Sequence, residues 1–152
     1  MSIRTTKAGG GGSSQSVAQK ILLVGASRGL GLGLAKLFAA RGWNVVATER
    51  GNSAGLNAVA AADERFRIER LDITNHEEIK EFHRRLSGEL FDVIFIIAGV
   101  HDDTTKPIHA VPVPEVARLF ITNAYSPIYL AEAIFDLLQP RGTLAIMSPS
   151  RR

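Results

Sequence analysis

Three closely spaced glycines, Gly25, Gly29 and Gly31, are the residues of this sequence best suited to chemistry, because a bound anion requires the absence of the side chains they lack. Ile21 to Val24 precede them as a continuous apolar run of strand length, as a parallel strand buried on both faces demands. After them the pattern turns helical. Leu30, Leu34 and Leu37 fall at i, i+4 and i+7 on one stripe, with Phe38 beside them, while Lys36 and Arg41 point elsewhere. Bare backbone at a helix N-terminus aims N–H groups and the positive end of the helix at one point. The chemistry expected there is the holding of a phosphate-bearing ligand.

A second apolar strand, Asn44 to Thr48, begins just after that helix ends at Gly42. Strand, glycine turn, helix and strand make the βαβ arrangement of a dinucleotide-binding fold, although the spacing G-x-x-x-G-x-G differs from G-x-G-x-x-G. The second strand delivers Glu49 and Arg50 beside the turn, where the adenosine ribose of a dinucleotide would lie. An acid there favours NAD through the ribose hydroxyls, and a base favours NADP through its 2′-phosphate. Arg28, inside the glycine turn, joins Arg50 on the NADP side. Taken singly, either arginine also reads as a surface charge.

Val24-Gly25-Ala26-Ser27-Arg28-Gly29-Leu30-Gly31 resembles the T-G-x-x-x-G-[IL]-G motif of the short-chain dehydrogenase/reductase family, with valine in place of the threonine. The resemblance runs over residues 20 to 150 and implies cofactor contacts from Gly25, Ser27, Arg28, Gly29, Leu30 and Gly31. In that family, basic residues at the positions of Arg28 and Arg50 accompany NADP, so NADP is expected ahead of NAD, with Glu49 beside it. Asp72 and Ile73 match the family's L-D-[VI] context, whose Asp bonds the adenine amino group; a local loop or helix cap is the other reading of Asp72. Ile96-Ile97-Ala98-Gly99 stands where most members have N-N-A-G, keeping the small pair Ala98 and Gly99 and losing the asparagines. Asn123 matches the asparagine of N-x-x-[GS]-P that completes the family's catalytic tetrad through a water on its backbone. An accidental kink filled by packing is the alternative. The family's paired serines correspond to Ser148-Pro149-Ser150, where Ser148 or Ser150 would bond the substrate oxygen. No Tyr-x-x-x-Lys occurs: Tyr125 is followed four residues on by Tyr129, and Tyr129 by Ala133.

The elements that must position these residues are legible as segments. Gly51 to Ala62 reads as a small-residue helix, Arg65 to Leu71 as a partly covered third strand, and Glu77 to Leu86 as a helix capped by Thr74 or Asn75. Phe91 to Ala98 is the most apolar segment and belongs beside strand one. Pro114 opens a helix expected to reach about Leu138, kinked where Pro127 cannot serve the carbonyl of Asn123. Gln139 to Gly142 reads as a turn and Thr143 to Met147 as strand five. The fold expected is α/β: a Rossmann-type three-layer fold with a parallel five-stranded sheet of order 3-2-1-4-5.

A chain of 152 residues, 45% hydrophobic and 22% charged, has enough apolar material for one domain with a proper core. Residues 1–19 hold Gly9-Gly10-Gly11-Gly12-Ser13-Ser14 and read as a flexible tail; residues 20–152 form the domain, ending before any Tyr-x-x-x-Lys segment. Without cysteine neither a disulfide framework nor a thiolate zinc site is available. The net charge of +3 is scattered, so no nucleic acid is expected, and no apolar run approaches a membrane span. His101-Asp102-Asp103 cannot all face one ion from adjacent loop positions, and no metal is expected. The family resemblance implies hydride transfer between NADP(H) and a small carbonyl or alcohol in a cytoplasmic homo-oligomer. A nucleotide-binding or regulatory module without turnover is the competing expectation.

Overall fold

The computed structural model describes residues 17–100 and 107–147; Ser148, Pro149, Ser150, the His101-Asp102-Asp103 triplet and most of the expected tail lie outside the described residues. The elements run β1 (Lys20–Val24), α1 (Gly29–Ala40), β2 (Asn44–Glu49), α2 (Ala54–Ala62), β3 (Phe66–Arg70), α3 (His76–Arg85), β4 (Phe91–Ile96), α4 (Val113–Phe120), α5 (Ser126–Ala133) and β5 (Leu138–Ile146). All strand pairs are parallel, and the sheet order is β3-β2-β1-β4-β5, as expected. Alternate residues of each strand feed two cores. Ile21 and Leu23 pack with Val45 and Ala47 and with Ala35, Ala39 and Leu56 of α1 and α2. Leu22 and Val24 face the other way, onto Ile79 and Phe82 of α3, Leu130 of α5 and Ile134 just after it.

The stripe that α1 buries is not the leucine stripe. Gly31, Ala35 and Ala39 are its buried residues, whereas Leu30 and Leu37 are exposed, and Leu34 and Phe38 pack at the core's margin. A Cβ at Gly31 would stand 2.3 Å from the Gly25 carbonyl oxygen. Helix and turn therefore approach more closely than a leucine face permits, and small residues take the inner side. α2 begins at Ala54 rather than Gly51 because Ser53 caps it. Asn75 caps α3, its Oδ1 accepting from the N–H groups of Glu77 and Glu78 at 3.1 and 3.3 Å.

The long helix expected from Pro114 to about Leu138 is broken into α4, a π turn over Ile121–Tyr125, α5 and a 3-10 turn over Phe135–Leu137. Pro127 has no N–H for the carbonyl of Asn123, and the Ser126 N–H reaches back five residues to the Ile121 carbonyl instead of four. β5 starts at Leu138 rather than Thr143. Leu138 pairs with Phe91 and Thr143 with Val93, so the segment read as a turn is a bulge within the strand. Arg141 takes a φ of 69° inside it.

Candidate functional site

A cleft of about 560 Å³ opens at the carboxyl ends of β1, β2 and β4, and all twelve residues expected to contact a dinucleotide line it. Its floor is the glycine turn, which buried Thr48 holds in place. Thr48 Oγ1 accepts the Gly25 N–H at 3.0 Å, and the Thr48 carbonyl accepts the Ala26 N–H at 2.9 Å. Gly25 has a φ of 89°, and a Cβ there would lie 2.6 Å from Ala98 Cα, so no other residue fits. Gly29 differs: its φ is 52°, but a Cβ would meet no protein atom within 4 Å. The open space beside it belongs to the cleft.

α1 begins with Arg28 at its N-cap, no side-chain cap and no acid in its first turn. By contrast, Ser53 caps α2 and Asn75 caps α3. An uncapped helix start that carries a cation leaves orphan N–H groups and unbalanced positive charge, which an anion completes. These features fit the pyrophosphate of a dinucleotide.

At the end of β2, Glu49 Oε2 accepts the Ser53 N–H at 2.6 Å. The Ser53 hydroxyl donates to the Ser27 carbonyl at 2.8 Å and accepts the Leu56 N–H at 3.3 Å. Sequence reading missed Ser53 and Thr48, although a serine ahead of an alanine-rich run carries an N-cap signal. Arg50 is exposed and lines the same cleft. Asp72 Oδ1 accepts the Thr74 N–H at 2.9 Å and the Thr74 hydroxyl at 2.7 Å. Burial pushes the Asp72 carboxyl up, but the Thr74 hydrogen bonds and the Arg50 charge outweigh it, and the net direction is down. Asp72 is thus an ionised turn former whose Oδ2 takes no part in those bonds.

Asn123 sits in the π turn behind the cleft and touches it through Val100. Its Oδ1 accepts the Val100 N–H and its Nδ2 donates to the Val100 carbonyl, each at 2.8 Å. A Cβ at Gly99 would stand 3.1 Å from Asn123 Oδ1, so the glycine makes room for this side chain. Ser126, next to Pro127 in the chain, is buried, and its Oγ has no hydrogen-bond partner among the described residues. Tyr125 and Tyr129 are not in the cleft lining. Tyr129 stacks on His76 with ring centroids 4.0 Å apart and planes 12° apart, and Tyr125 flanks the pair. Among the described residues no group of His, Asp or Glu side chains is placed to hold a metal, and no helix is long and apolar enough to cross a membrane.

A parallel sheet of this order, with a glycine turn between its central strand and first helix, defines a Rossmann-type dinucleotide-binding domain. The family model described as enoyl-(acyl carrier protein) reductase matches residues 25–151. The chain is 26% identical over 122 residues to galactitol 2-dehydrogenase of Agrobacterium fabrum, covering 79% of this chain and 47% of that one. It is 31% identical over 129 residues to protein FixR of Bradyrhizobium diazoefficiens, covering 78% and 45%. Among solved structures, a Burkholderia multivorans protein described as a short-chain dehydrogenase/reductase with bound NADP is 42% identical, with a TM-score of 0.82 over 87% of this chain and 59% of that one. A carbonyl reductase from Pseudomonas aeruginosa PAO1 in complex with NADP is 34% identical, with a TM-score of 0.82 and the same coverage of 87% and 59%. The chain belongs to the short-chain dehydrogenase/reductase family. It spans about half the length of the curated relatives it matches.

Proposed function

We propose that this chain is the NADP(H)-holding part of a short-chain dehydrogenase/reductase, and that the protein transfers hydride between NADP(H) and a small carbonyl or alcohol. The observation that carries the reading is the uncapped, arginine-bearing start of α1 behind a bare glycine turn. The two NADP-bound relatives support it. The cofactor, when bound, supplies the hydride.

This chain's residues bind and orient. Backbone N–H groups from Ser27 to Gly31 would hold the pyrophosphate, and Arg28 and Arg50 the 2′-phosphate. Asp72 would accept from the adenine amino group, with Ile73, Ala98 and Gly99 as neighbouring wall. Asn123 would keep Val100 in place and, on its backbone carbonyl, carry a water for proton passage. Ser148 or Ser150 would hold the substrate oxygen.

Titration followed by nicotinamide fluorescence tests the cofactor part. Each charge-assisted bond to phosphate contributes roughly 1.5–3 kcal/mol, so even one of the two arginines should make NADPH bind about ten- to a hundredfold more tightly than NADH. Combining Arg28→Ala with Arg50→Ala should erase the difference. Equal affinities in the wild type, or a preference that survives the double substitution, would overturn the reading.

A further inference from the structure

An acid at the end of β2 ordinarily bonds the ribose hydroxyls and favours NAD. Glu49 therefore stands against the preference that Arg28 and Arg50 argue for. Its hydrogen bonding resolves the conflict. One carboxylate oxygen is already committed to the Ser53 N–H at 2.6 Å, at the positive end of α2. Chelating two ribose hydroxyls would use both oxygens, so Oε2 would have to be shared between the Ser53 N–H and a hydroxyl, and only Oε1 lies outside this bond. Ser53 in turn reaches across to the glycine turn, its hydroxyl donating to the Ser27 carbonyl at 2.8 Å. Ser27 neighbours Arg28 in the chain, and Arg50 lies just ahead of Ser53.

We propose that Glu49 and Ser53 form a positioning pair that makes this cleft selective for the 2′-phosphate of NADP, Glu49 as an anchor for α2 rather than a ribose ligand, and Ser53 as the tie between the two arginine-bearing turns. The proposal rests on the reading of the cleft as a dinucleotide site. Arg50 to Ser53 belong to no helix or strand, and ordering free backbone on binding costs about 1–2 kcal/mol per residue. The Glu49–Ser53–Ser27 chain of bonds sets that segment before the ligand arrives, which conserves affinity. It also discriminates, because only a ligand with a 2′-phosphate draws on the arginines so placed.

The test uses the full chain with four proteins, wild type, Ser53→Ala, Ser53→Thr and Glu49→Gln, titrated with NADPH and NADH, with melting temperature recorded for each. Ser53→Ala should lose about five- to tenfold in NADPH affinity, the worth of one hydrogen bond, and less for NADH. Ser53→Thr should restore the NADPH/NADH ratio. Glu49→Gln retains an oxygen for the Ser53 N–H and should leave NADH affinity unchanged while NADPH affinity holds or rises. If Ser53→Ala melts like wild type and keeps the wild-type ratio, or if Glu49→Gln weakens NADH more than NADPH, the proposal is wrong. The second of these does not depend on how well the serine variant folds. Wild type that binds neither dinucleotide would overturn the reading of the cleft itself and the proposal with it. Wild type that prefers NADPH while all three variants keep its ratio would overturn this proposal alone.

Discussion

Two glycines of one helix separate packing from propensity. A Cβ at Gly31 would meet Gly25 O at 2.3 Å and Ala26 Cα at 2.8 Å, both backbone atoms that cannot swing aside. Gly31→Ala must push α1 off the turn, and we expect a loss of about 1–3 kcal/mol in urea unfolding, together with weakened dinucleotide binding. Gly33 is exposed in the same helix, with nothing within 4 Å of a Cβ. Gly33→Ala should stabilise by about 0.5–1 kcal/mol with an unchanged m-value; a loss of stability there would show that the helix is packed where it looks free. Spacing alone would not have brought out Gly25, Gly29 and Gly31, because glycine-rich turns also close structural loops; the strand before them and the helix after them did. Neither signal brought out Thr48 or Ser53, whose partners Gly25 and Ser27 lie far away in sequence. Hydropathy also misled on α1: leucines dominate the pattern, but contact distance chose Gly31, Ala35 and Ala39 for the inner face.

β1, β2 and β4 were readable as apolar runs between turn residues, and the sheet order followed from right-handed crossovers in a dinucleotide-binding fold. After residue 107 the break at Pro127 and a fifth strand through Thr143 were readable as well, whereas the π turn and the early start of β5 were not, because they rest on a five-residue hydrogen bond and a bulge that periodicity does not encode. Besides the β4–β5 pairing, the two regions are tied by the pair of hydrogen bonds from Asn123 to the Val100 backbone. Asn123→Asp keeps the acceptor for the Val100 N–H, removes the donor to its carbonyl and sets two oxygens against each other. We expect a loss of about 1–3 kcal/mol and faster amide exchange at Val100, whereas unchanged exchange would show that the clamp does not hold this backbone. Within the bulge, Arg141 at a φ of 69° occupies a conformation that costs a non-glycine residue about 1–3 kcal/mol. Arg141→Gly should relieve part of that and raise the denaturation midpoint.

Charge and exposed apolar surface govern the molecule as a body. Glu89 pairs with Lys20 of β1 and, at 2.8 Å, with Arg67 of β3. Burial pushes its carboxyl up, and the hydrogen bonds from Lys20 and Arg67 overcome this and hold it below the ordinary glutamate range. With the folded value depressed, the pair's contribution is complete above the unfolded pKa of about 4.3 and is lost as pH falls through the folded one. Glu89→Gln should therefore lower stability at neutral pH and flatten its decline under acid. The larger consequence lies on α4, which has no buried residue. Val113 is 79% exposed, Phe120 66% and Ile128 64%, and Val116, Ile121 and Tyr125 are exposed beside them. Ile134 and Leu138, farther along the chain, do not add to this face: Ile134 is fully buried and Leu138 partly so. Among the described residues β5 is also an edge strand of the sheet. Covering half a dozen partly exposed apolar side chains gains roughly 1 kcal/mol each, so a twofold pair of chains gains about 12 kcal/mol. Association costs about 4–15 kcal/mol, and for costs up to about 8 kcal/mol self-pairing falls at micromolar to millimolar concentration. Sedimentation of the 152-residue chain across that range should show reversible association, and Phe120→Lys with Ile128→Lys should abolish it. A wild type that stays monomeric throughout would mean that α4 and α5 are stable with this face in water.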